Sequence, residues 1–334
     1  MSLARKEQDI GSIYGQGSHS ALYNWQRRMQ TRLGNAVVLW MARRYRSIPE
    51  KPGYRLGAAV GTLMRVISPR HHRIVLTNLG LAFGAEKGEE ELREIAAACY
   101  RHLGKCLIEF IRLPALSGDD IKRMVKVRGF ENVDAALAAG KGAILVTGHI
   151  GNWEMAGGRI AAEGYPVNVI ARAQRDNALT EYIRRTRETG GMRVFHQEVA
   201  ARRTLAALRQ NQVVGILMDQ NAGDDGLFVD FFGHPASTAA GPAAFALRTD
   251  AAALPTFGWR NPDDSHTLTI GEPIPLVRTG DHQQDLLANT ARFTALIEQA
   301  IREHPEQWFW LHKRWKSRPR DEAAATDAEQ ERGA

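Results

Sequence analysis

The sequence is poor in cysteine: its 334 residues contain only Cys99 and Cys106. Seven positions apart inside a helical pattern, the two thiols lie two turns apart on one face, roughly 10 Å along the axis, too far to join in a disulfide. A disulfide framework is excluded, and with only two cysteines and no CxxC pair no zinc site is expected, so the chain reads as intracellular. Long apolar runs are also lacking. The richest segments, "LGNAVVLWMA" and "LGAAVGTLMRVI", fall short of the ~18–20 residues of a membrane-spanning helix. The N-terminus has no apolar stretch leading to a small-residue cleavage site, which excludes the pattern of a secretory signal. There is no internal repeat, and no HExxH motif to suggest a metal.

Acidic side chains are in the minority, 37 against 44 Lys and Arg, and the net charge of +7 favours an acidic partner such as anionic lipid, nucleic acid or an acidic protein. Hydrophobic residues at 44 % are enough for a sizeable core and exclude extended disorder. Residues 1–20, rich in Gly and Ser, read as a flexible lead-in. Residues 21–68 form a helical, amphipathic region. In it Leu22, Trp25, Met29, Leu33, Val37 and Trp40 recur every three or four positions, with Arg27, Arg28 and Arg32 on the other side and "RRYR" following at Arg43 and Arg44. A basic helix with tryptophan near each end fits a membrane interface, through Trp25, Trp40, Arg43 and Arg44. It equally fits a surface helix packed on the core.

Residues 69–318 read as an α/β domain, followed by a disordered tail at 319–334. "EEELREIAAACYRHLGKCLIEFIRL" at 89–113 is a helix with acidic residues in its first turn and Pro114 at its end. From Gly140 the rhythm alternates short apolar strands with amphipathic helices: "GAILVTGH", "PVNVIAR", "MRVFHQ" and "VVGILMD" are the strands. This predicts βαβ units and a central, mostly parallel sheet flanked by helices. A helix near 240–250, strands at "ALPTFGW" and "HTLTI", and a long helix at 285–303 complete the layer.

The stretch "ILVTGHIGNWEMAG", Ile144 to Gly157, places His149 at the carboxyl end of a strand, where open α/β sheets form their ligand crevices. Glu154 falls in the first turn of the next helix and is expected to fold back onto the imidazole. A carboxylate on one ring nitrogen would leave the other free to take a proton from a hydroxyl. No serine or cysteine nucleophile is present in the motif, so direct attack by a substrate hydroxyl is favoured over a covalent intermediate. Taken alone, a turn histidine and a dipole-stabilising glutamate explain the pair as well as catalysis does.

"TGHIGNWE" resembles the signature of the bacterial late lipid A acyltransferases, within the wider lysophospholipid acyltransferase superfamily. Four further segments fit in order: "TNLGLAF" at Thr77–Phe83, "IARAQRDN" at Ile170–Asn177, "MDQNAGDDGLFVDFFGHPASTAAGPAAFAL" at Met218–Leu247 and "PEQWFWLHKRWK" at Pro305–Lys316. The resemblance implies that His149 is a general base partnered by Glu154. It also implies that amides at Gly151 and Asn152, with Arg172, stabilise the oxyanion, and that Asp219, Gln220, Phe232, Gly233 and Thr238 lie at the substrate. It further implies O-acyl transfer from acyl carrier protein or acyl-coenzyme A, a co-substrate rather than a cofactor, to a lipid A precursor or related glycolipid. The expected location is the cytoplasmic face of the bacterial inner membrane, with no nucleic acid among the partners. Other readings remain open: the same chemistry on a mannosylated or aminoacyl lipid and, from another class, a non-enzymatic membrane or nucleic-acid binder built on "RRYR" and "HKRWK".

Overall fold

The computed structural model describes residues 36, 39–44, 47–171 and 177–319. The lead-in, the tail from residue 320, Trp25 and Arg172 lie outside the described residues, as does most of the expected helix from Leu22, of which residues 39–44 are seen as helix. Three helices then follow: α1 (Glu50–Ile67), α2 (Pro69–Phe83) and α3 (Glu89–Arg112). Helix α1 crosses α3 with the two backbones touching. A Cβ on Gly104 would fall 1.9 Å from the Gly57 carbonyl oxygen, and one on Gly61 equally close to that of Tyr100, so only glycine permits this approach.

There follow α4 (Gly118–Met124), β1 (Val125–Arg128), α5 (Phe130–Ala138), β2 (Ala143–Thr147), α6 (Trp153–Ala162), β3 (Val167–Ala171), α7 (Asn177–Thr189), β4 (Arg193–His196), α8 (Ala200–Arg209) and β5 (Val213–Leu217). A separate antiparallel hairpin, β6 (Leu227–Phe231) and β7 (His234–Thr238), precedes α9 (Gly241–Thr249), β8 (Ala252–Arg260), β9 (His266–Ile270) and α10 (His282–Glu303). Seven strands make the main sheet in the order β1-β9-β8-β2-β5-β3-β4. Strands β8, β2, β5, β3 and β4 are mutually parallel. Strand β9 joins β8 antiparallel and carries β1 beside it, so the expected parallel sheet has a two-stranded margin of opposite direction.

Strand β2 is central, and its alternating side chains divide the core in two, as the two-residue period requires. Ile144 and Val146 pack with residues of α2, α3, α9 and α10 and with Trp308, Trp310 and Trp315. Ala143 and Leu145 pack on the other face with Ile121, Met124, Val133, Met155 and Ile160. Burial on both faces explains why β2 reads as a continuous apolar run. Among the described residues no helix is long and apolar enough to cross a membrane.

Candidate active site

The chain leaves β2 at Thr147 and enters α6 at Trp153, so the five residues between them stand at the carboxyl end of the sheet. Gly151 has a φ of +55°, and a Cβ there would fall 1.9 Å from the carbonyl oxygen of Gly258, so only glycine serves this turn. Asn152 caps α6, its side-chain oxygen accepting from the backbone N–H groups of Glu154 and Met155, both at 3.1 Å.

His149 meets Asp219, which follows β5 on the neighbouring strand. Its Nδ1 lies 2.7 Å from Asp219 Oδ1, while its backbone N–H donates to Oδ2, also at 2.7 Å. The Trp308 indole donates a third bond, 2.7 Å, to Oδ2. Burial opposes ionisation of Asp219, yet the His149 imidazole and these donors outweigh it and bring the carboxyl down to about 2. An ionised carboxylate only accepts, so Nδ1 carries the hydrogen, and in the neutral imidazole Nε2 holds the lone pair. Gln220 places its amide nitrogen 3.4 Å from that Nε2. The His149 ring is flanked by aromatic rings, Trp153 edge-on at 4.8 Å between centroids and Phe309 at 6.1 Å.

The expected fold-back of Glu154 onto His149 is corrected by this geometry. Glu154 is held instead by Arg187 of α7, whose Nε and Nη2 donate to both carboxylate oxygens at 2.9 and 2.6 Å. It also accepts from the Trp153 indole at 3.1 Å. The reason is geometric: the His149 ring has turned towards β5, and Trp153, one residue before Glu154 on the helix, takes the place beside the ring. Glu154 thus bears on the histidine through the Trp153 ring. Gly151 is also corrected as an oxyanion donor, because its N–H donates to the Gln307 carbonyl at 2.9 Å. The N–H groups of Asn152 and Trp153 open α6, where no intrahelical acceptor exists, and they carry no hydrogen bond among the described residues.

The remaining expected site residues separate into groups. Phe232 and Thr238 are buried, so their side chains face protein rather than an open binding surface. Phe232 donates its N–H to Glu298 Oε2 at 2.6 Å, and Thr238 accepts from the buried guanidinium of Arg314. Gly233 turns the β6–β7 hairpin with a φ of +74°. Trp40, 58 % exposed, and the exposed Arg43 and Arg44 flank the buried Met41 and Ala42. The structure adds Arg187, Trp308 and Phe309 to the site. Arg187 is masked in the sequence by a run of charged residues on α7; the two aromatics stand in a segment the resemblance had marked without assigning roles. Among the described residues no group of three or more His, Cys, Asp or Glu side chains is placed to share a metal ion.

A neutral histidine whose Nδ1 is fixed by a buried carboxylate, with Nε2 facing a polar amide, can accept a proton from a substrate and return it. Unassigned amides at the start of a helix can meet a developing negative charge. The comparisons agree with acyl-transfer chemistry. The chain is 29 % identical over 228 residues to the phosphatidylinositol mannoside acyltransferase of Mycobacterium tuberculosis strain H37Rv, covering 66 % of this chain and 70 % of that protein. It is 27 % identical over 294 residues to the lipid A biosynthesis palmitoleoyltransferase of Escherichia coli K12, covering 86 % and 91 %. With the lipid A biosynthesis lauroyltransferase of the same organism it shares 27 % over 288 residues, covering 84 % and 90 %. The sequence model described as "Bacterial lipid A biosynthesis acyltransferase" matches residues 22–317, and the chain belongs to that acyltransferase family.

Proposed function

We propose that this protein moves a fatty acyl group from an acyl thioester to a hydroxyl of a lipid A precursor, with His149 as general base. The observation that carries the reading is the His149–Asp219 pair, 2.7 Å apart at the carboxyl end of the central strands. Nε2 of His149 takes the proton as the acceptor oxygen attacks the thioester carbonyl. The oxyanion is met by the amides of Asn152 and Trp153, and Asp219 stabilises the imidazolium. Collapse of the tetrahedral intermediate breaks the C–S bond, and the departing thiolate takes the proton from His149. One O–H and one C–S bond are exchanged for one C–O and one S–H bond, and no other reactant is needed.

The donor is acyl carrier protein or acyl-coenzyme A, both anionic and suited to a chain with net charge +7. The protein works at the cytoplasmic face of the inner membrane. In the N-terminal part Trp40, close in sequence to the exposed Arg43 and Arg44, and Leu63, Met64, Val66 and Ile67 near the end of α1 are large apolar side chains left exposed. Such a surface suits insertion among lipid headgroups. A mannosylated lipid acceptor is a second reading, favoured by the 29 % identity to the mycobacterial mannoside acyltransferase.

The test is mass spectrometry of lipids from a host whose lipid A lacks one secondary acyl chain, making either the intact protein or His149→Ala. A gain of one acyl mass that requires His149 is expected. No gain with a folded protein overturns the lipid A reading, and acylation of mannosylated lipid in parallel would establish the second.

A further inference from the structure

Behind the His149 loop, away from Asp219, lies a second group of charged side chains that the proposed chemistry does not use. Glu109 of α3 is fully buried. Arg260, at the end of β8, grips both its oxygens through Nη1 at 2.9 Å and Nη2 at 2.5 Å. His266, opening β9, donates from Nε2 at 2.8 Å. The fourth donor is Asn152 Nδ2, 2.6 Å from Glu109 Oε2. Burial opposes the charge on Glu109, but His266 and Arg260 outweigh it and hold the carboxyl well below its usual range.

Three ionisable groups sealed in a core are costly, and well-packed apolar side chains are often at least as stabilising. The arrangement nevertheless has a consequence that apolar residues could not supply. Glu109 only accepts and the first amides of α6 only donate, so the Asn152 amide has a single satisfied orientation, nitrogen to Glu109 and oxygen to the helix. Arg260 adds a backbone tie. Its N–H donates to Gln307 Oε1 at 2.7 Å, its carbonyl accepts from Gln307 Nε2 at 2.9 Å, and the Gln307 carbonyl accepts from Gly151 at 2.9 Å. His102 donates to the Gly151 carbonyl at 3.0 Å. Both residues ahead of the unassigned amides are thus held from behind.

We propose that Glu109, with Arg260 and His266, is a positioning device: it fixes the Asn152 side chain and thereby sets the Asn152 and Trp153 amides against the reacting carbonyl. The inference rests on the acyl-transfer reading above. These residues do not touch substrate; they act through Asn152.

The experiment compares Asn152→Ser, Glu109→Gln and the double variant with the wild type, using acyl carrier protein charged with a fatty acid and a lipid A precursor lacking a secondary chain. Serine caps a helix as well as asparagine, but one hydroxyl cannot also span to Glu109, so Asn152→Ser tests the link even if Glu109→Gln fails to fold. The expected result for Asn152→Ser is an unfolding temperature near that of the wild type and a kcat lower by about 10²-fold, the scale of a misplaced reacting group, with KM little changed. If Glu109→Gln folds, adding it to Asn152→Ser costs little further kcat. A folded Asn152→Ser protein with wild-type kcat overturns the positioning role alone. A wild type that transfers no acyl group to any lipid acceptor overturns the acyl-transfer reading, and this inference falls with it.

Discussion

Among the described residues two histidine–carboxylate pairs are of hydrogen-bond length and nearly equal. His149 and Asp219 are 2.7 Å apart, and His266 and Glu109 are 2.8 Å apart. In each the carboxylate is sealed from solvent; the imidazoles differ, that of His149 being 21 % exposed and that of His266 4 %. The surroundings of the carboxylates differ as well. Glu109 is neutralised by the Arg260 guanidinium, whereas among the described residues Asp219 has no ion pair with Lys or Arg. A permanent cation leaves little unspent attraction for a proton arriving on the histidine. Asp219, bound otherwise by neutral N–H donors, keeps its charge available for the imidazolium of the proposed reaction. A short contact is therefore a poor sign of catalysis; the charge balance around it and an accessible second nitrogen are what make His149–Asp219 the pair proposed for it.

The comparison breaks most sharply with one amide substitution in each pair. Asp219→Asn removes the charge that favours the imidazolium, and kcat is expected to fall by roughly 10³–10⁴-fold, with the fold retained in circular dichroism. Glu109→Gln leaves Arg260 and His266 without their buried counter-charge. Its main effect is a loss of about 3–5 kcal/mol of stability, read by denaturant unfolding, with a smaller loss of kcat. Equal effects on rate and stability in the two variants would remove the distinction.

A smaller effect follows at Glu154. Glu154→Gln weakens the hold of Arg187 and the Trp153 indole, loosening the ring beside His149 without altering the Asp219 contact. A loss of roughly tenfold in kcat is expected, equal to about 1.4 kcal/mol of barrier. If the rate fell as far as in Asp219→Asn, Glu154 would be acting on the histidine directly, as the sequence first suggests.

The smallest effect is on stability in mild acid. Burial lowers His102 to about 3, helped by Arg260, and lowers His312 to about 4, where Asp219 opposes the effect and the charge of Arg314 reinforces it. Both folded values lie below the ordinary 6.5 or so, so the unfolded chain binds these protons more readily. Their contribution is complete above about pH 6.5 and is lost as pH falls towards the folded values. Thermal unfolding followed from pH 7.5 to 4.5 is expected to shift downward by several degrees, and a His312→Gln variant should show a shallower slope.

What could be read from the sequence was local. The β2–loop–α6 unit follows from an apolar run, two glycines and an Asn cap within a dozen residues. The pairing of His149 with Asp219 spans 70 positions and depends on β5 lying beside β2, which no spacing rule encodes; Asp219 was reachable only through the family motif. Arg187 stands among Arg184 and Arg185 on a helix whose charges look like a solvated face. Glu109 left a usable signal: it lies three residues after Cys106 and seven after His102, on the buried stripe of α3, where a charge calls for a partner. The antiparallel margin of β9 and β1 was hidden because short strands of either direction have the same composition.

The segment after α10 has a consequence for the order of synthesis. Gln307 holds Gly151, Trp308 donates to Asp219, Phe309 donates to the His149 carbonyl, and His312 accepts from the Asn221 amide. A nascent chain that has released the described strands but not residues 305–315 lacks the ties that close the loop, and with them Trp308, Trp310 and Trp315 of the core. Residues 305–315 follow every described strand along the chain, so synthesis delivers the strands before the ties that close the His149 loop.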